Sequence, residues 1–97
     1  MSITFQREGF HPFFEDAAPL FAAHWEEVAH YLDIPLEPDV ATYERIEAAD
    51  MLRIYTVRDN PGGALIGYAM FMVGPNAHYK SSLQAKQDVI FLAPQFR

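Results

Sequence analysis

Three kinds of side chain in this sequence can move a proton or attract a cation. Asp88 stands just ahead of an apolar run, Val89 to Ala93, and a carboxylate there can take a proton directly or through a water; capping the strand is its simpler use. His78 and Tyr79 fall in the polar stretch Gly74 to Gln87, where a substrate can pass a surface loop, although a lone His and Tyr suit any surface equally well. His24, Glu27 and His30 are spaced by threes, which drift around a helix axis, and the His-Glu-x-x-His zinc spacing is absent, so no metal site is expected. His24 reads better as part of a packed face, and Glu26 with His30 as a surface pair four residues apart. There is no cysteine, which removes thiolate nucleophiles and disulfides.

The charge is unevenly placed. The net value is -6, yet Glu8 to Asp50 carries eleven carboxylates against the single base Arg45, while Met51 to Arg97 carries five bases and two acids. Glu26, Glu27, Glu44 and Glu47 therefore mark either a solvated helical surface or a face that attracts a cationic amine or a basic protein groove. Direct nucleic-acid binding is disfavoured, because phosphates reward Lys and Arg. No stretch approaches the ~20 apolar residues of a membrane span, and the N-terminus lacks a basic-then-apolar signal pattern, so a cytoplasmic protein without membrane contact is expected.

Ninety-seven residues, 51% of them hydrophobic, suit one domain spanning 1–97. Ser2 to Arg7 alternates as a strand. Asp16 to Leu32 shows helical spacing through Leu20, Phe21, His24, Trp25, Val28, Tyr31 and Leu32, with Asp16 as N-cap; a start nearer Pro12, with Pro19 bending the helix, is the alternative. Asp33 to Pro38 reads as a linker, Asp39 to Ala49 as a second helix, and Leu52 to Val57 as a strand turned by Asn60-Pro61-Gly62-Gly63 into Ala64 to Val73. Gly67 marks a bulge or bend, Gly74 to Gln87 an irregular connection, and Asp88 to Ala93 a last strand. The predicted class is α+β, ordered β-α-α-β-β-β, with a mainly antiparallel sheet and two helices. The last two strands are apolar on both faces, and two helices cover only one. The other face needs a further helix from a longer parent, a partner, or a second copy in a homodimer.

The run Gly67-Tyr68-Ala69-Met70-Phe71-Met72-Val73, a variable connection, and Asp88 to Arg97 resemble strands three and four of the GCN5-related N-acetyltransferases (GNAT). The order of elements matches the first half of that fold. Pro94 and Arg97 match the family's apolar-x-Pro-x-x-Arg stretch, which leads into its glycine-containing pyrophosphate loop. The resemblance implies a partial GNAT-like fold and acetyl transfer from acetyl-CoA to an amine. It implies that backbone groups of Phe91, Leu92 and Ala93 meet the pantetheine arm, that Arg97 opens the phosphate loop, and that Asp88 handles the amine proton. Gly62-Gly63 and Gly74 do not reproduce the loop's spacing, so weak or no acetyl-CoA binding, and no activity, is expected of these residues alone. The alternative is a non-catalytic acidic binding or inhibitor protein descended from this fold, of the kind phages encode against nucleic-acid-binding proteins. A structural subunit that dimerises through its sheet fits the same residues.

Overall fold

The structure, a computed structural model, describes residues 2–28, 37–60 and 62–97. Over these the chain runs β1 (Ser2–Glu8), α1 (Phe10–Val28), α2 (Val40–Ala48), β2 (Leu52–Asn60), β3 (Ala64–Asn76) and β4 (Tyr79–Leu92), closing on a 3-10 turn at Pro94–Phe96. The strands form one antiparallel sheet in the order β1-β2-β3-β4. The expected α+β class and element order are observed. His30, the helical residues Tyr31 and Leu32, the Asp33 to Leu36 part of the linker, and Pro61 lie outside the described residues.

α1 starts at Phe10 rather than Asp16. The first amides of a helix lack intrahelical acceptors, and here α2 supplies one: Glu47 Oε2 accepts the Phe10 N–H at 2.7 Å. Pro12 then falls in the first turn, where its missing donor costs nothing, while Pro19 sits inside the helix. Asp16 instead reaches Arg58 Nη2 at 2.9 Å. α2 begins as its sequence dictates, with Asp39 Oδ1 accepting the Thr42 N–H at 3.0 Å. It ends with Asp50 N–H bonded to Glu47 O and Met51 N–H to Ile46 O, which places Asp50 in the left-handed region at φ 58°.

Alternation along the strands sorts the side chains into two faces. Leu52, Ile54 and Thr56 of β2, Tyr68 and Met70 of β3, and Phe91 of β4 are buried toward Phe10, Phe13 and Ala17 of α1. On the other face Ile3, Phe5, Tyr55 and Ile90 stay exposed, Phe5 at 77% and Ile90 at 58%. Arg58 closes one end of the inner layer, bonding both Glu8 oxygens, Asp16 and the Gly63 carbonyl.

The stretch Gly74 to Gln87 is paired strand, not an irregular connection. β3 continues to Asn76 and β4 begins at Tyr79, with Asn76 Oδ1 accepting the His78 N–H at 2.8 Å in the turn between them. Tyr79 to Asp88 are exposed throughout, so this half of β4 carries no apolar alternation and is held by backbone pairing. Asp88 accordingly lies inside β4 and does not open it. Pairing passes from Met70↔Val89 to Phe71↔Gln87, leaving Asp88 as the extra residue of a bulge. A second irregularity, Val57↔Gly67 followed by Arg58↔Leu65, puts a bulge at Ile66, beside the glycine expected to mark one. A Cβ on Gly67 would stand 2.9 Å from Phe91 O, so the glycine lets β4 come close.

Candidate functional site

A cavity of about 190 Å3 lies between α1, the start of α2 and the inner face of β3 and β4. Helical spacing brings Phe10, Phe13, Phe14, Phe21, His24 and Trp25 of α1 to one wall, and Pro38, Tyr43, Tyr68, Met70 and Val89 complete it among the described residues. The aromatic rings lock one another. Phe10 stacks on Tyr43 at 5.3 Å between centroids, and Phe13 meets Tyr68 edge-on at 5.2 Å.

Three polar side chains of this wall, His24, Tyr43 and Tyr68, are hydrogen-bonded. His24 Nδ1 and the Tyr68 hydroxyl share a buried hydrogen bond of 2.9 Å, and the imidazole stacks on Phe91 at 4.9 Å. Burial lowers the pKa of His24, and the Arg97 guanidinium adds to this against the opposing pull of Glu27, so the ring is held neutral. Burial pushes the Tyr68 hydroxyl up. The Tyr43 hydroxyl donates to Asp88 Oδ2 at 2.6 Å, and burial together with that carboxylate holds its proton in place. Asp88 is exposed, and its Oδ1 has no partner among the described residues. The bulge thus holds an exposed carboxylate beside the cavity wall, bound to one lining residue, Tyr43, and next in the chain to another, Val89.

The end of β4 lies against the same wall. Ala93 N–H donates to Ile66 O at 2.8 Å and Ala93 O accepts from Phe96 N–H at 2.9 Å, so this residue's backbone is spent within the chain. Antiparallel alternation then turns the Phe91 backbone toward Tyr68 of β3, and the groups of Ile90 and Leu92 toward the open edge. Of the three residues Phe91, Leu92 and Ala93, only Leu92 offers its backbone outward. Arg97 meets it there: Nε donates to Leu92 O at 2.7 Å, Nη2 grips both Glu27 oxygens at 2.7 and 2.8 Å, and the guanidinium lies 5.6 Å from the Phe91 ring centre.

The remaining residues singled out in the sequence stand apart from this cluster. His78 and Tyr79 occupy the tip of the β3–β4 hairpin, at the far end of β4. Glu44 pairs with His11 at 3.5 Å, Glu47 caps α1, and Glu26 is exposed without a partner among the described residues. Sequence reading gave Tyr43 and Tyr68 no polar role in the site. Their signal was available, since a hydroxyl on a buried face requires a partner.

No family model matches the chain, and no curated protein matches it in sequence. Solved structures share its fold. A ribosomal-protein-alanine N-acetyltransferase from Brucella melitensis biovar Abortus 2308 gives a TM-score of 0.72 at 18% identity, over 100% of this chain and 62% of that one. A predicted acetyltransferase from Clostridium acetobutylicum, solved with acetyl-CoA, gives 0.67 at 12% identity over 99% of this chain and 63% of that one. AAC(6')-Iy, in complex with the bisubstrate analog CoA-S-monomethyl-acetylneamine, gives 0.67 at 22% identity over 100% and 61%. These neighbours are GNAT acetyltransferases, and the chain spans about 60% of their length with their fold, in agreement with the N-terminal half expected from the sequence.

Proposed function

We propose that this chain forms the acceptor side of a GNAT-type N-acetyltransferase domain, which moves an acetyl group from acetyl-CoA to an amine. One observation carries the reading: along a chain that matches acetyltransferases over its whole length, Asp88, the bulged carboxylate of β4, is bonded to Tyr43 of the aromatic cavity wall. The open edge of β4 fits an extended, amide-bearing arm, because Leu92 O points outward and already accepts a donor from Arg97. Acetyl-CoA bound there would supply the activated thioester. An amine must lose a proton before it attacks, and Asp88 Oδ1 is the acceptor for that proton, directly or through a water. Tyr43 orients the carboxylate by donating to Oδ2. Neutral His24 fixes Tyr68 and, through its stack on Phe91, the end of β4.

Titration of 15N-labelled chain with acetyl-CoA to millimolar concentration tests the reading. Weak binding is expected, with amide shifts concentrated at Ile90, Leu92 and Arg97. Binding that shifts other amides and leaves those three unmoved overturns it.

A further inference from the structure

The walls of the cavity specify the kind of amine. We infer that it takes a primary amine carried on one compact apolar group, about the size of a single aromatic ring, and turns away polyhydroxylated or phosphorylated amines. The assignment of the amine as an acetyl acceptor rests on the proposed transferase reading; its binding does not.

Size, polarity and charge each lead there. A cavity of about 150 Å3 lined by apolar side chains suffices to hold benzene, so about 190 Å3 accommodates a ring with a short side arm. Four side chains with polar atoms line it, and three are engaged, His24 Nδ1 with Tyr68 and Tyr43 with Asp88, while Trp25 adds only its indole N–H. A sugar entering this space would bring several hydroxyls out of water into a wall with few hydrogen-bonding groups, a cost a ring does not meet. Among the described residues no Lys or Arg lines the cavity, and Arg97 is held by Glu27 and Leu92. At the solvent edge the ligand meets the reverse situation. Asp88 Oδ1 carries negative charge without a partner among the described residues, which favours an ammonium over a neutral group. The ring therefore lies inward and the amine outward, where Asp88 can also accept its proton.

The only tryptophan, Trp25, lines the cavity and reports occupancy by fluorescence. The probes are 2-phenylethylamine, 2-phenylethanol and glucosamine, titrated into the whole chain and into Asp88→Asn, an isosteric change that keeps an acceptor for Tyr43. Saturable binding of phenylethylamine at least tenfold tighter than phenylethanol is expected, with that preference abolished in D88N and no response to glucosamine. Circular dichroism and a melting curve establish that D88N is folded. If phenylethylamine does not bind, if amine and alcohol bind alike in the unaltered chain, or if glucosamine competes, the inference is overturned. If the amine binds as expected while acetyl-CoA leaves the β4 amides unmoved, the inference stands and the transferase reading falls.

Discussion

Arg58 grips Glu8 with two parallel hydrogen bonds, Nε to Oε2 and Nη2 to Oε1, each 2.8 Å long. That contact is the main reason the Glu8 carboxyl is lowered to about 2, with the Thr56 hydroxyl helping and burial opposing. A carboxylate lowered in the folded state stabilises the protein above its unfolded value near 4.5, and the contribution is lost as pH falls through about 2. Glu8→Gln is expected to cost about 2–3 kcal/mol at neutral pH and to flatten stability between those two values. Urea unfolding across an acid series checks both.

His24 shifts in a sense that adds a second acid-sensitive step. Its folded pKa is lowered, so the neutral ring stabilises the protein above the ordinary imidazole value of 6.5, and stability declines as pH falls below it. This step is expected to vanish in His24→Gln. In Tyr68→Phe the imidazole loses its partner in a buried setting, at a cost of about 1–3 kcal/mol. The same urea series, run on both variants, measures these effects.

Gly67→Ala is expected to destabilise by about 1–3 kcal/mol, because the new Cβ meets the Phe91 carbonyl and the Leu92 side chain with no room to relax except by moving β4. Thermal unfolding reads the loss. Shifts in the Leu92 and Ala93 amide resonances would report the displaced edge.

The hairpin tip should be silent. The double change His78→Ala with Tyr79→Ala is expected to alter stability by less than about 0.5 kcal/mol and to leave phenylethylamine binding unchanged, since neither residue shares the cavity. Fluorescence titration of this variant beside the unaltered chain decides it.

The outer sheet face is expected to bind an apolar dye and to drive association at tens of micromolar, given Phe5 at 77% and Ile90 at 58% exposure. Phe5→Lys combined with Ile90→Lys is expected to abolish both. Dye fluorescence and sedimentation velocity measure the outcome.

Where burial writes a pattern, the sequence was legible. Leu52, Ile54, Tyr68, Met70 and Phe91 stand at alternating positions because one face of the sheet meets α1, and Leu20, Phe21 and His24 recur at helical spacing for the same reason. Asp39 announced the start of α2 because its cap is local. The start of α1 was left open between Asp16 and a point nearer Pro12, and the structure's start at Phe10 favours the second, because its cap, Glu47, comes from 37 residues away. The first half of β4 was hidden because an exposed, backbone-held strand leaves no apolar period to read. Asp88 was singled out for its chemistry, but its place in a bulge depends on a pairing register that no single-strand pattern contains.

Glu47 belongs to α2 and completes α1, and this makes the two walls of the cavity one cooperative unit. Loosening α2 withdraws the acceptor from the Phe10 amide, and the first turn of α1, carrying Phe10 and Phe13, then opens with it. Neither helix end frays alone. Exchange of the Phe10 amide with solvent follows the opening free energy of α2, and an occupant of the cavity that Phe10 and Tyr43 both line slows exchange in both helices together.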